Sequence, residues 1–232
     1  MKDKKRPLSV AIDGPSGAGK STIARMLARE LGFLYVDTGA LYRTIGYAVL
    51  QGGGDPADQA AVEALLPTLS IRLAQQEDGQ HVFLGGEDVN GKIRTPEVSM
   101  AASRVSAFPA VRAFLLDIQR DTAKSISIIM DGRDIGTVVL PDADLKVFLT
   151  ASAEVRARRR FDELAEKGTA VTYDEVLKDM TQRDYDDSHR DIAPLREAEG
   201  AVRVDSSDLT LEQSAAVIRR LVESLQPPAD QT

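Results

Sequence analysis

The segment that decides the fold runs Leu8-Ser9-Val10-Ala11-Ile12-Asp13-Gly14-Pro15-Ser16-Gly17-Ala18-Gly19-Lys20-Ser21-Thr22. Its opening run, Leu8 to Ile12, is short and apolar and reads as a buried strand. Gly14 to Ser21 then fits the pattern G-x-x-x-x-G-K-[ST] at every fixed position. Beyond it, Ile23, Met26, Leu27 and Leu31 recur at helical spacing, and Gly32 supplies the stop. Strand, glycine-rich turn and helix are the context in which that pattern works. Glycines let successive backbone N–H groups wrap an anion. The start of the helix adds the positive end of its dipole. Lys20 is placed to reach β- and γ-phosphates, and the Ser21 hydroxyl to hold Mg²⁺. A nucleoside triphosphate is the expected ligand. No Asn-Lys-x-Asp guanine signature occurs, and the short chain suits a kinase of a small metabolite.

Outward from this segment, strands and helices alternate. Phe33 to Val36 is a second short strand, ending at Asp37. Gly39 to Leu50 is helix-like, with Leu41, Ile45, Ala48 and Val49 on one face. From about residue 68 to 95 the pattern changes. Leu69, Ile71 and Leu73 alternate with polar neighbours, His81 to Leu84 and Glu87 to Val89 are strand candidates, and Asn90-Gly91 is a hairpin turn signal. Pro96 to Lys124 is helical with a break near Pro109. Ser127 to Met130, Leu145 to Leu149 and Ala201 to Val204 complete five buried-type strands. Glu154 to Lys167, Tyr173 to Arg183 and Leu211 to Leu225 are helices. The expected fold is α/β: a P-loop kinase with a five-stranded parallel sheet flanked by helices, a small antiparallel acceptor-domain insert and a helical lid. Residues 1–37, 96–151 and 171–232 would form the core. Residues 38–95 would form the acceptor-binding region, its helical end extending into 96–112, and 152–170 the lid.

Composition narrows the function. Lys plus Arg number 29 against 36 Asp plus Glu, a net charge of −7, which argues against wholesale binding of nucleic acid or anionic membrane. There is no cysteine, so disulfides, thiol nucleophiles and Cys-based metal sites are excluded. Two histidines, His81 and His189, are too few for a multi-His metal centre. The basic N-terminus is not followed by the apolar segment of a secretory signal, and no stretch reads as a membrane span. The expected compartment is the cytoplasm.

Two further segments belong beside the phosphate loop. Asp37-Thr38-Gly39-Ala40-Leu41-Tyr42-Arg43 and Asp131-Gly132-Arg133-Asp134 each follow a predicted strand. In an open parallel sheet, ligands sit beyond the carboxyl ends of the strands. Arg43 and Arg133 suit a phosphate, Tyr42 can cover a base, and Asp134 suits sugar hydroxyls. Taken singly, Arg43 reads as a solvated helix charge, and Ser103 and Arg112, on the broken helix, are bland. Arg156, Arg158, Arg159 and Arg160 crowd into a turn and a half of one helix. They read either as a solvated charged face or as a mobile lid over a transferring phosphoryl group.

Together, the phosphate loop, Asp37 to Arg43, Asp131 to Val139 and Ile192-Ala193-Pro194-Leu195 resemble the bacterial cytidylate kinases, within the nucleoside monophosphate kinases. The match runs from about Leu8 to Leu225. The resemblance implies transfer of a phosphoryl group from ATP to CMP or dCMP, with Mg²⁺. It implies an ATP site of Gly14, Pro15, Ser16, Gly17, Ala18, Gly19, Lys20, Ser21 and Thr22, with Ser21 the metal ligand. Asp37, Thr38, Asp131 and Gly132 fall in the acceptor site. There Tyr42, Arg43 and Arg133 would hold the acceptor phosphate, and Ser103, Arg112 and Asp187 would read cytosine. Asp134 and Arg183 would meet the sugar, with Arg190 in the same site. Lys20, Arg133, Arg158, Arg160 and Arg183 would serve catalysis. Ser206 to Leu209 would border the adenine. A monomer without nucleic-acid or membrane partners is expected. Another small-metabolite kinase, for a different nucleotide or shikimate, and a non-catalytic nucleotide sensor are the competing readings.

Overall fold

The computed structural model describes residues 6–76, 79–124 and 126–225. Five parallel strands form the central sheet: β1 (Ser9–Asp13), β2 (Leu34–Asp37), β6 (Ile128–Gly132), β7 (Leu145–Thr150) and β8 (Val202–Asp205). Their order across the sheet is β2-β6-β1-β7-β8. The chain winds out from β1 to β2, returns to β6 beside β1, then crosses to β7 and β8. The direction of winding reverses at β1, and such a reversal opens a crevice at the carboxyl ends of the strands. Asp13, Asp37 and Asp131-Gly132 all lie at those ends.

The sheet is apolar on both faces. Val10 and Ile12 point to one side of β1 and Ala11 to the other, as the two-residue repeat of a strand requires. On the first side Val10, Ile12 and Leu149 pack with Ile23 and Leu27 of α1 (Lys20–Leu31) and Ile218 and Val222 of α8 (Leu211–Ser224). On the second, Ala11, Val36, Ile128 and Met130 pack with Ile135 and Val139. The last two belong to a π-helical turn, Ile135–Val139, which periodicity does not foreshadow.

A second core gathers under α2 (Thr38–Gln51), α3 (Gln59–Leu65), α4 (Pro96–Val105) and α5 (Pro109–Thr122). Leu41, Ile45, Val62, Val82, Ile93, Val98 and Leu115 are buried there. The helices α2 and α4 cross at Gly46, where an added Cβ would lie 2.9 Å from the Ala102 backbone nitrogen. Over this core lies a three-stranded antiparallel sheet, β3 (Ile71–Gln76), β4 (Gly79–Leu84) and β5 (Glu87–Asp88). The expected insert is therefore present, but its turn differs from expectation. Asn90-Gly91 joins no strands; β4 turns into β5 at Gly85-Gly86, whose φ values of 57° and 90° suit a tight hairpin. The remaining helices are α6 (Ala153–Glu166) and α7 (Tyr173–His189), which pack through Ala157, Val176 and Met180. The latter runs a turn and more beyond the expected Arg183. Among the described residues, no helix is long and apolar enough to cross a membrane.

Candidate active site

The phosphate loop joins β1 to α1. Gly14 has φ 150°, and a Cβ there would lie 1.9 Å from the Leu149 carbonyl oxygen, so only glycine fits. Gly19, at φ 90°, is the residue that caps α1. It offers no side-chain acceptor to the helix's first amides, which leaves them for an anion. Lys20 is 5% exposed, and its Nζ donates to the Pro15 carbonyl at 2.7 Å. Burial, then the neighbouring Arg133, holds its ammonium well below the usual lysine range. A phosphate beside these two cations would relieve that strain.

Beside the loop is a buried aspartate pair. The Ser21 hydroxyl donates to Asp131 Oδ2 at 2.8 Å, and the Tyr35 hydroxyl to Oδ1 at 2.8 Å. Burial, then repulsion from Asp37, raises the Asp131 pKa. Asp37 behaves oppositely. Burial works to raise its pKa, but Arg43 and Arg94 outweigh that and hold it low. Asp37 caps α2 by accepting from Ala40 N at 2.9 Å and also takes Arg43 at 2.7 Å. Thr38 Oγ1 donates to the Asp131 carbonyl at 2.8 Å, tying the start of α2 to β6.

Two arginine–aspartate groups extend from there. In the first, Arg133 Nε donates to Asp187 Oδ2 at 2.7 Å, joining the β6 end to α7. Burial alone would raise the Asp187 pKa, yet Arg133 and Arg183 overcome it and depress the carboxyl. Arg183 has a buried Nε without a partner, and burial, then Arg133, pushes its pKa down to about 10. In the second group, Arg112 pairs with Asp134, both buried, and donates to the Ser106 carbonyl at 3.2 Å. Its guanidinium lies 5.5 Å from the centre of the Tyr42 ring. Arg190 bridges the groups: its nitrogens lie 4.0 Å from Asp134 and 4.0 Å from Asp187. Burial, then Arg112, lowers its pKa. Ser103 stands one turn before Ser106, which donates to its carbonyl at 2.8 Å. Buried arginines cost several kcal/mol each unless paired, on the order of what one domain can spare. Concentrating them here makes sense for an anionic ligand.

The arginines of α6 divide. Arg156 is buried and donates to the Ala151 and Ser16 carbonyls and to Asp184, at 2.9, 3.0 and 2.6 Å. It thus ties α6 to both the phosphate loop and α7. Arg159 donates to the Ser206 carbonyl at 2.6 Å, reaching the loop after β8. Arg158 lies over the Tyr173 ring at 4.4 Å, and Arg160 donates to Glu163 at 2.8 Å on the surface. Each charge has its own partner, so the crowding seen in the sequence does not leave them repelling one another.

Some contributors carry no signal in the sequence. Arg94 donates to Asp37 at 3.4 Å. Gln80, on β4, accepts from Asp37 N at 2.9 Å and donates to Asp37 O at 3.3 Å, clasping the insert to the end of β2. Asp13, at the end of β1, accepts from the Ile135 and Gly136 amides.

Comparison with known proteins agrees with this architecture. The family model described as Cytidylate kinase matches residues 10–226. A cytidylate kinase of Exiguobacterium sp. is 48% identical over 221 residues, covering 95% of this chain and 99% of its own. One from Mycolicibacterium paratuberculosis is 51% identical over 214 residues, covering 92% and 94%. In fold, the chain is similar to an uncharacterized protein from Eubacterium ventriosum, with a TM-score of 0.51, 11% identity and coverage of 94% and 99%. A matched family model spanning nearly the whole chain, with relatives at about half identity, leads to one conclusion: the chain belongs to the cytidylate kinase family.

Proposed function

We propose that this protein transfers the γ-phosphoryl group of ATP to CMP or dCMP, giving ADP and CDP or dCDP. The observation that carries the reading is the run of buried and half-buried cations leading from Lys20 through Arg133 and Arg183 to Arg190 and Arg112. That run suits an anion at one end and a base at the other. Gly14 to Thr22 would bind ATP. The Ser21 hydroxyl and Asp131 carboxylate, 2.8 Å apart, are the hard oxygen donors that Mg²⁺ prefers, with Ser21 the direct ligand. When bound, the ion would neutralise charge on the β- and γ-phosphates.

No general base is required. A phosphate monoester has a second pKa of about 6, so the acceptor oxygen is already ionised at neutral pH. Catalysis then rests on position and on charge stabilisation. Lys20 and Arg133 serve the transferring group. Arg43, Arg133 and Tyr42 would hold the acceptor phosphate, with Asp37 orienting Arg43. The ion pairs favour exchanging the two aspartates relative to the expectation from resemblance. Asp187 binds the phosphate-side Arg133, which suits the sugar; Asp134 binds Arg112 beside Tyr42, which suits cytosine. Arg183 goes with the sugar, and Ser103, Arg112 and Arg190 with the base. Residues 152–170 would close as a lid, bringing Arg158 and Arg160 inward from their present partners. We expect a cytoplasmic monomer acting on free nucleotides.

A coupled ADP-release assay with ATP, Mg²⁺ and CMP, dCMP, UMP, AMP, GMP or shikimate tests the reading. Turnover concentrated on CMP and dCMP is expected. Turnover on another acceptor alone would overturn the cytosine site. ATP binding without turnover on any of them would leave a nucleotide-binding protein.

A further inference from the structure

We propose that Asp13 is a positioning residue, whose side chain sets the acceptor-binding loop against the phosphate loop. Its backbone runs directly into Gly14. Its side chain crosses to the neighbouring strand's extension, accepting from Ile135 N at 2.8 Å through one oxygen and from Gly136 N at 2.7 Å through the other. Those amides begin the π-helical turn that immediately follows Arg133 and Asp134. Asp134 has φ −146° and ψ 25°, outside any regular element; its carbonyl accepts from Val138 N and Val139 N at 2.9 and 3.2 Å, bonds internal to the turn that do not tie it to the phosphate loop. The near end of this stretch is held by β6. The far end is held by Asp13.

Both functional branches leave from between these anchors. Arg133 reaches Asp187, and Asp134 reaches Arg112. Slackening the far anchor would therefore disturb the phosphate and base ends together. A displacement of about 1 Å is enough to cost on the order of a hundredfold in rate. The chemistry of the anchor is specific. An ionised carboxylate accepts through both oxygens, whereas a carboxamide offers one acceptor and turns a donor toward the other amide. Asp13 is 3% exposed, so solvent does not replace a lost bond.

The surroundings oppose this ionisation. Burial first, and Asp134 in addition, raise the Asp13 pKa to about 6, against the two amides and Lys20, which lower it. Lys20 faces it from α1 and Asp134 from its own loop. On β7, Lys146 packs its stem near Gly136 while its ammonium donates to the Glu199 carbonyl at 3.3 Å. The carboxylate form that satisfies both amides thus dominates only above about pH 6.

The inference rests on the acceptor reading above, and the experiment separates the two. The variant Asp13→Asn is compared with wild type, measuring kcat and KM for CMP and for ATP between about pH 5 and 8. For the variant, kcat/KM for CMP should fall ~10- to 100-fold while KM for ATP changes less than about twofold. On the acid side, the slope of log kcat/KM for CMP against pH should drop from about two to about one, because CMP's own phosphate proton remains and that of Asp13 is gone. Equal shifts for both substrates, or an unchanged slope, would overturn the proposal. Asp13→Ser is the second variant should the first fail to fold. If neither folds, Asp13→Glu, which keeps the carboxylate but shifts it, decides: kcat/KM for CMP lowered with KM for ATP unchanged supports the proposal, and equal shifts for both overturn it. A wild type inactive on CMP would remove the acceptor reading itself, and this inference with it.

Discussion

The phosphate loop binds through backbone that is contiguous in the chain, from Gly14 to Ser21. The proposed acceptor half would instead take Arg43, Arg112, Arg133, Arg183 and Arg190 from separate segments on α2, α5, the end of β6, α7 and the loop after it. The first needs glycines and one helix start, and a single strand–turn–helix unit provides them. The second needs several long cations held in register. Most are therefore braced by an aspartate from another element, as Arg133 is by Asp187, Arg112 by Asp134 and Arg43 by Asp37. On the proposed reading, donor binding would be a local property of the chain, and acceptor binding a property of the packed molecule.

Removing Lys20 tests the independence of the two halves most severely. Lys20→Ala should lower kcat by about a thousandfold or more, through loss of charge stabilisation in the transition state. CMP affinity measured by calorimetry without ATP should stay within about threefold. Loss of both together would show that the halves are one unit.

Next come the two bracing aspartates. Asp134→Asn should cut kcat/KM for CMP by about a hundredfold and narrow its advantage over UMP. Asp187→Asn should weaken CMP and UMP alike, leaving their ratio unchanged. A base preference lost in Asp187→Asn alone would restore the assignment of cytosine reading to Asp187.

Asp187 also makes a stability prediction. Its pKa is depressed in the folded protein, so its contribution is complete above its ordinary value of 3.8 and is lost as pH falls below that. The wild-type melting temperature should therefore drop between about pH 5 and 3 more steeply than that of Asp187→Asn. Parallel curves would mean that Arg133 and Arg183 do not hold the carboxyl charged.

The smallest effect is expected at the insert. Gln80→Ala removes the clasp on Asp37 and should raise KM for CMP about threefold, with kcat nearly unchanged. No change in KM would mean that α2 and its cap orient Arg43 unaided.

The same contrast governs what could be read from the residues. The sheet, the phosphate loop and most helices were legible, because apolar periodicity and glycine spacing are local. The π-helical turn at Ile135–Val139 was not, since a single wide turn has no repeat to detect. The helix Gln59–Leu65 escaped because it buries only Val62. The extension of α7 to His189 escaped because its last part buries Asp187 and not an apolar side chain. Asn90-Gly91 had the composition of a hairpin turn, but Gly85-Gly86 occupies the reversal, between the paired Leu84 and Glu87. Within the site, Tyr42, Arg43 and Arg133 were visible beside strand ends. Asp13, Gln80 and Arg94 were not, because each acts on a partner distant in sequence.

One consequence concerns the fate of the molecule at high concentration. Among the described residues, the strand β2 lies at the margin of the central sheet, with only β6 beside it. Such a margin is a template for a strand from another chain. Gln80 occupies both the N–H and the C=O of Asp37, so the antiparallel insert, whatever else it does in the proposed acceptor site, also blocks this margin at its carboxyl end. Kinases of this architecture built with a shorter insert would need some other guard against self-association, such as a charge or a proline on β2.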